Sequence, residues 1–587
     1  MERRLVVLVA GLLAWSAAAC GGDEPVRQVR IQLVSVDNDL AFPSRVEDEM
    51  NAVAITAFRG ADILWTRTER YTGNPASLKL PKLPFGEDIQ LIVEARRGNT
   101  TLASGATPRL SLTSSSPLSI VNLPILEQGV FTRGFFAEDE FDRQPLRLGV
   151  ARAAATMTPV HGGAAYVVVG GAAASGASAG LGGTPFSAAV DVVEMHDAEF
   201  GDMVPIYEGP DCGAREPLRL FTPRIFHTTT ALPDGRLVIA GGFAVRGGQW
   251  EATDSVEVLT FDSRDRFCAT LVELEEGLFR PRAFHTATLM ADASRPANRT
   301  RLLFVGGAGG RLTADGASLT PDSVRRVEEI RIPVRANAGL EVEETDLNLT
   351  FPRFLHSAHF VPERQLGVIL VGGLSRSGNA LTFEERVLSL YEDTGDWTLI
   401  DEGAFEEPSG DVRVRRYGHG SQLFRPLIGA RPGALPTLVV AGGFSGFGEG
   451  GTLFAAGQTA ATVDTIGVFL DAGFEIEFLE RVDLPEAHRS GFGALLPLSL
   501  AGGFLYAGGI GADGGVRREA ATLAVSRNGE VEIEAIGGGL GQPRAFMSAM
   551  ELSSFLHLIV GGWSGTAALA DTEYYNGAAY QNRRLVP

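Results

Sequence analysis

The sequence predicts an all-β protein in which a small β-sandwich domain precedes a seven-bladed β-propeller. Residues 27–128 alternate apolar and polar side chains between turn signals, which is typical of short strands. From 149 to 587 the chain then repeats one pattern seven times, an apolar strand that ends in a double glycine. Hydrophobic residues make up 45% of the 587 residues, enough for a large core, so the composition excludes a disordered protein.

The amino terminus has the features of an export signal. Arg3 and Arg4 precede an apolar run that is short for a membrane span, and small residues then lead to Cys20. This order resembles a bacterial lipoprotein signal, which implies a signal peptide over 1–19, a lipidated Cys20 and a tether over 20–26. Gly21 stands where the retention signal of inner-membrane lipoproteins has aspartate, so the resemblance favours the outer membrane. A secretory signal with an incidental cysteine is the alternative interpretation.

The charge balance limits the partners. The chain has 51 Lys and Arg against 71 Asp and Glu, a formal net charge of −20. A field of this sign repels nucleic acid and anionic lipid. We therefore expect no nucleic-acid partner, and contact with the membrane through the lipid anchor alone.

The segment 27–128 contains seven runs that read as strands between glycine-rich turns. These runs are VRIQLVSV, AVAITAF, ILWTRTE, SLKLPKL, IQLIVEAR, PRLSLT and LSIVNLPI. Seven short strands in about a hundred residues predict an immunoglobulin-like β-sandwich. No catalytic residue stands out in this segment, and 129–148 is predicted to be a linker.

The repeat in 149–587 predicts seven blades. Each copy ends an apolar strand with two glycines, and the copies recur about every 65 residues. The first glycines are Gly170, Gly241, Gly306, Gly372, Gly442, Gly508 and Gly561. Each unit has room for four short strands, a sheet too small to bury both faces alone. Stacking the sheets radially buries those faces, as in a propeller. Either AYQNRRLV at the carboxy terminus or GVFTRGFF before the first repeat completes the last blade, and we favour the carboxy-terminal strand.

Two charged columns accompany the double glycines. An arginine precedes the first strand of each unit: Arg152, Arg224, Arg282, Arg353, Arg416, Arg489 and Arg544. An acidic residue opens the third strand: Asp191, Asp254, Asp322, Glu385, Asp464, Glu519 and Asp571. First and third strands start on the same face, about 10 Å apart, within reach of an ion pair. We favour structural arginine–acid pairs over a ring of positive charge that captures an anionic ligand.

These residues resemble kelch repeats of the galactose oxidase type. The similarity rests on the R-x-x-H-S/T segment, the strand ending in two glycines, and a later strand ending aromatic-acidic, as in Phe261-Asp262. The period is longer than the usual period of about 50 residues. The copper site of that family needs a cysteine cross-linked to tyrosine on an inner strand. Cys212 and Cys268 lie in a loop and on an outer strand, so we expect no copper and no other cofactor.

Four histidines occupy one repeat position in successive blades: His227, His285, His356 and His419. Equivalent positions near a propeller axis can converge on a metal. A repeated structural histidine that bonds a neighbouring strand explains the same pattern, and we favour it because the position belongs to the repeat.

Cys212 and Cys268 are a candidate disulfide pair. Export permits a disulfide. The blade topology places the two residues near opposite faces of adjacent blades, whereas bridging needs Cα atoms within about 7 Å. Both outcomes remain open from the sequence, with free cysteines favoured.

Two classes of function fit the sequence. The first is an envelope-anchored binding or scaffolding protein that contacts a protein or glycan through one propeller face. The second is a carbohydrate-active enzyme, of the sugar epimerase, mutarotase or glycosidase type, with its site at the channel mouth. We favour the first, because no nucleophile elbow, zinc-protease motif or phosphate loop is present.

The substitution Cys20→Ser should move the protein from the membrane to the soluble fraction, since lipidation at this cysteine is the predicted anchor. Fractionation followed by immunoblotting measures the change. A variant that still needs detergent for extraction would contradict lipid anchoring at Cys20.

Overall fold

The structure is a computed structural model, which describes most of the chain between residues 50 and 578. Before 50 it describes 6–7, 26–27, 30–35, 46 and 49, so Cys20 and the predicted tether, apart from Val26, lie outside the described residues. The gaps after 50 are 61, 72–82, 85, 108–109, 113–119, 138–142, 198–200, 210–211, 214, 264, 292–299, 334–337, 362–366, 378–379, 385–386, 394–395, 402–404, 408–409, 413, 425–435, 448–451, 455–457, 461, 470–474, 499–502, 527, 554 and 579–587.

The amino-terminal domain is the predicted β-sandwich. One sheet pairs Arg30–Ser35 with Ile120–Glu127 in parallel, with Val6–Val7 at its edge. The other sheet contains Asp62–Arg70, Ala52–Arg59, Gly86–Arg97, Thr100–Ala106 and Leu110–Leu112. The last residues of Ile120–Glu127 pair with Thr100–Ala106, so this strand joins both sheets. A further pair joins Val26–Arg27 to Leu83–Pro84. The core of this domain packs around side chains such as Val53, Leu91 and Ile125.

The propeller has seven four-stranded antiparallel blades, as predicted. In chain order, blades 1 to 3 are Thr156–Val160, Ala165–Val169, Glu194–Asp197 and Met203–Pro205; Thr228–Ala231, Leu237–Ala240, Val256–Phe261 and Cys268–Glu273; Thr286–Met290, Arg301–Val305, Arg326–Arg331 and Val342–Asn348. Blades 4 to 6 are Ser357–Val361, Gly367–Val371, Leu388–Asp393 and Asp396–Asp401; Gly420–Phe424, Thr437–Ala441, Thr462–Phe469 and Glu475–Asp483; Ala494–Leu498, Gly503–Ala507, Ala520–Val525 and Val531–Ala535. Blade 7 contains Ser548–Ser553, Leu556–Val560, Thr572–Asn576 and Phe131–Arg133.

Short hairpins and turns decorate this framework. They include Ala172–Ala174 with Phe186–Ala189, Arg224–Ile225 with Phe243–Arg246 and Gln249–Ala252, Gly309–Gly310 with Leu319–Thr320, Leu374–Ser377 with Ala380–Phe383, Phe405–Glu407 with Gly410–Val412, Phe135–Ala137 with Arg143–Pro145, and the strand Tyr207–Glu208. Short 3-10 helices span His161–Gly163, Leu181–Gly183, Pro321–Val324 and Glu486–His488. None of the helices in the described part of the chain has the length and apolar character needed to cross a membrane.

The amino-terminal segment closes the ring, which corrects our preferred assignment. Phe131–Arg133 pairs antiparallel with Thr572–Asn576 and is the fourth strand of blade 7. The segment AYQNRRLV, which we favoured for this role, lies outside the described residues. The region 129–148 is therefore more than the predicted linker, because it contributes a propeller strand and the hairpin that follows it. Joining the two ends of the repeat array in one sheet ties blade 7 to the start of the propeller.

The double glycines connect each blade to the next. The second glycine donates its backbone N–H to a carbonyl at the arginine position of the following blade. These bonds are Gly171 to Arg224, Gly242 to Arg282, Gly307 to Arg353, Gly373 to Arg416, Gly443 to Ser490, Gly509 to Arg544 and Gly562 to Arg152. The last bond links blade 7 to blade 1. We call this set the glycine ring.

The geometry explains why both positions are glycine. Gly241 and Gly242 have φ angles of +61° and +97°, a region that side chains rarely adopt. A Cβ on Gly241 would lie 2.5 Å from the Arg282 carbonyl oxygen and 2.7 Å from the His285 ring. Any larger residue would therefore push the two blades apart.

The sandwich domain packs on the propeller face opposite the double glycines. The buried Asn576 side chain, at the end of a blade 7 strand, donates to the Ser104 and Leu126 carbonyls at 3.0 and 2.7 Å. Ala106 and Leu126 share an apolar cluster with Phe555 of blade 7 and Tyr166 of blade 1. We call the other face, which carries the arginine segments, the double glycines and the loops after them, the glycine face. This arrangement leaves the glycine face uncovered by the sandwich domain.

Cys212 and Cys268 form a disulfide, with Cα atoms 5.5 Å apart. Our expectation that they lie near opposite faces is wrong. Tyr207–Glu208 runs parallel to the outer strand of blade 2, with Tyr207 opposite Cys268. The loop that contains Cys212 therefore lies at the start of that strand.

In a Cys20→Ser background, the unfolded and unreduced protein should show no free thiol, and reduction should release two. Reduction should also lower the free energy of unfolding by about 2–4 kcal/mol, because the bridge restricts the unfolded chain. Thiol titration and denaturant melts measure the two effects. Two free thiols before reduction would contradict the bridge.

Candidate functional site

The arginine column is buried inside the blades. Arg152, Arg224, Arg282, Arg353, Arg416 and Arg544 are at most 3% exposed. Their ion-pair partners are Glu194, Glu257, Glu328, Glu384, Asp464 and Glu573, respectively. Most of these arginines also donate to the carbonyl of the first glycine of the same blade. Their guanidinium groups are therefore paired with buried carboxylates and backbone carbonyls, and they do not form a cationic ring at the surface.

The acidic partners differ from the ones predicted. Asp464 is the single predicted acid that pairs with a column arginine in the described part of the chain. Glu385 lies outside the described residues, and Asp191 pairs instead with the exposed Arg219 at 2.8 Å. Five of the six partners sit inside the third strand, opposite the residue two before the double glycine, as Glu257 lies opposite Ile239. The acid at the strand opening is too near the surface to reach a buried guanidinium.

Four of the buried carboxylates, those of Glu194, Glu257, Glu328 and Glu573, also fix the loop that leads into the arginine. Glu257 accepts from the Phe221 and Thr222 backbone N–H groups at 2.9 and 3.1 Å, and Glu328 accepts from Phe279 at 2.9 Å. Burial raises the pKa of Glu328, and Arg282 opposes that shift. These carboxylates are saturated by structural partners, so they are unsuited to acid–base catalysis.

Blade 6 departs from the pattern, and Arg489 does not belong to the column. The equivalent residue is Ser490, whose carbonyl accepts the glycine-ring bond from Gly443 at 2.8 Å. Arg489 is half-buried and donates to the Leu484 carbonyl at 2.9 Å. The buried Tyr506 fills the space, and its hydroxyl donates to the Ser490 carbonyl at 2.6 Å. An uncharged serine–tyrosine pair thus replaces arginine and carboxylate in this blade.

The four repeated histidines bond across the blade interfaces. Each Nε2 lies 3.0–3.1 Å from a hydroxyl on the first strand of the preceding blade: His227 from Thr156, His285 from Thr228, His356 from Thr286 and His419 from Ser357. His227, His285 and His356 are buried and His419 is partly buried, and each ring lies under the first glycine of that preceding blade. This confirms the structural interpretation. In the described residues, the group with metal-ligand spacing is Cys212, Asp265 and Cys268, whose two sulfurs form the disulfide.

Aromatic rings fill the propeller axis at the glycine face. The residue two after each column position adopts a positive φ, and this position holds Phe226, Phe284, Phe492 and Phe546. Phe454, from the long loop of blade 5, stacks on Phe226 with their ring centroids 5.8 Å apart. Phe454 is only 4% exposed. It also contacts Phe546 at 5.5 Å and Phe492 at 5.7 Å. The predicted channel mouth is therefore a packed apolar plug.

Loops from four blades lie over this plug and bond to one another. Ala314 of blade 3 donates to the Gly182 carbonyl of blade 1 at 2.9 Å, and Leu453 of blade 5 donates to the Ala314 carbonyl at 2.7 Å. Trp250 donates its indole N–H to the Phe186 carbonyl at 3.1 Å. The described parts of these loops thus form a hydrogen-bonded cover over the axis.

Large apolar side chains are exposed at the rim of the glycine face. Val150, Phe221 and Phe279 precede the arginines of blades 1, 2 and 3, and they are 38%, 59% and 43% exposed. The buried Glu257 and Glu328 hold the two phenylalanine-bearing loops in place. Fixed, exposed aromatic residues are typical of contact surfaces.

Two clefts lie away from the axis. One, of about 950 Å³, lies on the sandwich-bearing face between blades 1 and 2, beside His161, Asp234 and Phe261. The other, of about 570 Å³, lies at the rim of the glycine face between blades 6 and 7, beside Arg133, Arg147 and Arg518. The sequence pointed to neither, because each is built from segments that are far apart in the chain.

Comparison with solved structures finds alignments at low sequence identity. The structure of YjhT aligns with 66% of this chain and 99% of its own, at 12% identity and a TM-score of 0.40. A fungal alcohol oxidase of the AA5 family, solved with copper, aligns with 73% of this chain and 75% of its own, at 12% identity and a TM-score of 0.45. No protein-family model and no curated protein sequence matches the chain. Similarity at this level implies nothing about activity.

The substitution Arg282→Ala should lower the free energy of unfolding by about 3–5 kcal/mol, because it leaves Glu328 buried without its counter-ion. Urea unfolding monitored by fluorescence measures the loss. Arg219→Ala is the matched control: its ion pair with Asp191 is exposed and should contribute about 1 kcal/mol or less. Equal stability of the Arg282→Ala variant and the parent would contradict a structural role.

Stability should fall as pH drops below about 6.5, the pKa of unfolded histidine. Burial lowers the pKa of His227 and His419 to about 3, and lowers that of His285 and His356 well below the ordinary value. Between pH 6.5 and the pKa of each histidine in the folded protein, the histidine is therefore protonated in the unfolded chain and neutral in the folded one. Each histidine contributes about 1.4 kcal/mol per pH unit in that window.

Urea unfolding at pH 7.0 and pH 5.5 tests this dependence. His285→Gln should reduce the pH dependence of the free energy of unfolding by about 1.4 kcal/mol per pH unit, whatever its effect on stability at pH 7. A parent protein that is equally stable at both pH values would contradict neutral, buried histidines.

Proposed function

We propose that this protein is a membrane-anchored, extracytoplasmic binding or scaffolding protein whose glycine face contacts a protein partner. The observation that carries the proposal is the filled channel mouth. Phe454, Phe226 and Phe546 occupy the axial position where a propeller enzyme would hold its substrate. A packed plug leaves the outer surface of this face for contact with a partner.

The state of the acidic side chains supports the same proposal. A glycosidase needs two carboxylates with room for a sugar between them. Glu194, Glu257 and Glu328, which point into the blades, accept from arginines and from backbone N–H groups. The repeat carboxylates are therefore committed to the fold, which disfavours the carbohydrate-active enzyme.

The position of the sandwich domain favours the glycine face as the contact surface. The domain lies on the opposite face, through Asn576 and the cluster around Phe555. Because the predicted lipid anchor precedes that domain, the glycine face is the one left free of both. The exposed Phe221 and Phe279 then supply apolar contact area for a protein.

The double substitution Phe221→Ser/Phe279→Ser should abolish capture of the partner in cell-envelope crosslinking, while the fold persists because both side chains are exposed. Val272→Ser is the matched control, since Val272 is 53% exposed on the outer strand of blade 2. Quantitative mass spectrometry of the crosslinked proteins compares the three forms.

A partner set unchanged by the double substitution would contradict the glycine face as the contact surface. A glycan-array screen of the soluble form tests the partner class. Glycan binding that depends on Phe221 and Phe279, without protein capture, would contradict a protein partner.

A further inference from the structure

The cleft between blades 6 and 7 is a basic site within a strongly acidic protein. Its lining includes Arg133, Arg147 and Arg518, with Asp571 as the carboxylate that faces them. The other charged residues of the lining, Arg544 and Glu573, form a buried ion pair at 2.7 Å and cancel each other. The cleft therefore has excess positive charge, against a chain with a net charge of −20.

The three arginines make few hydrogen bonds to the described residues. Arg147 meets Asp571 at 2.9 Å, and Arg133 approaches the same carboxylate at 3.9 Å. Arg518 donates one guanidinium N–H to the Gly538 carbonyl at 2.7 Å, and its backbone N–H donates to the Glu519 carboxylate at 3.1 Å. A guanidinium carries five donors, and these contacts within the described residues use a minority of them.

Ring closure creates this site. Arg133 and Arg147 belong to the amino-terminal segment that completes blade 7, whereas Arg518 comes from blade 6. The cleft wall includes Gly537 and Gly538. A Cβ added at either glycine would have no other atom within 4 Å. The backbone of that wall is consequently open to an extended ligand.

We propose that this cleft binds the carboxylates of an acidic peptide segment on the protein that contacts the glycine face. The inference rests on the proposed function, because it assigns chemistry to part of the same surface. Guanidinium forks match carboxylates in planar, charge-assisted geometry. Three guanidinium groups against one carboxylate leave room for at least two acidic side chains. Attraction between exposed charges is screened by salt, so binding should weaken as ionic strength rises.

Fluorescence anisotropy with a labelled hexaglutamate peptide and the full-length protein tests the site, with hexaglutamine as the neutral peptide. We expect saturable binding of hexaglutamate that weakens at least fivefold in Arg147→Gln and in Arg518→Gln. Arg219→Gln, an exposed arginine of blade 1, should bind like the parent. Thermal melts of all variants establish that each is folded.

The proposal fails if hexaglutamate binds no better than hexaglutamine, or if its binding survives both substitutions. Binding of sulfate without binding of hexaglutamate would also overturn it, because the cleft would then hold only a free anion. The Phe221→Ser/Phe279→Ser protein should still bind hexaglutamate. Loss of partner capture in that protein with intact peptide binding supports both proposals, whereas intact capture with intact peptide binding overturns the proposed function alone.

Discussion

The fold depends on the glycine ring, the set of backbone hydrogen bonds that joins each blade to the next. The N–H of Gly307 meets the Arg353 carbonyl at 2.8 Å, and the same bond recurs around the axis to Gly562 and Arg152. This bond requires close approach of two backbones at positive φ, which excludes side chains at both glycines. The buried arginine then fixes the carbonyl that accepts the bond, and its carboxylate fixes the loop before it. The charged columns and the double glycines are thus parts of one interface.

The same interface determines what the glycine face can do. Positive φ at the position of Phe226 and Phe546 accompanies rings packed around the axis, where Phe454 closes the gap. The features that support our proposed contact surface lie at the rim instead. Exposed phenylalanines precede blades 2 and 3 there, and an arginine-lined cleft lies between blades 6 and 7.

Features that repeat can be predicted from the sequence, whereas features that depend on strand register or on distant segments cannot. Seven double glycines predict the number of blades, because the interface needs them in each blade, whereas Ser490 replaces the arginine in blade 6. In blade 2 the predicted acid, Asp254, lies three residues before the true partner, Glu257. The sequence does not distinguish the two, because the bounds of the strand are not known from it. Arg489 was assigned to the column because it neighbours Ser490, and the compensating Tyr506 lies on another strand. The strand Thr100–Ala106 escaped notice because small residues hide its alternation.

Chain closure was the hardest feature to infer. Both terminal segments read as strands, and local pattern does not reveal which one pairs with Thr572–Asn576. The arginine cleft follows from that choice and was equally invisible. The disulfide was judged unfavourable for a related reason, because Tyr207–Glu208 crosses from one blade to the next and brings Cys212 to Cys268.

Amide hydrogen exchange at the second glycines tests the glycine ring most directly. The N–H groups of Gly171, Gly242, Gly307, Gly373, Gly443, Gly509 and Gly562 should all exchange slowly and to similar extents, because each is bonded to the next blade. Gly562 is decisive, since its bond to Arg152 closes blade 7 on blade 1. Fast exchange at Gly562 with protection at the other six would contradict a closed, seven-bladed ring.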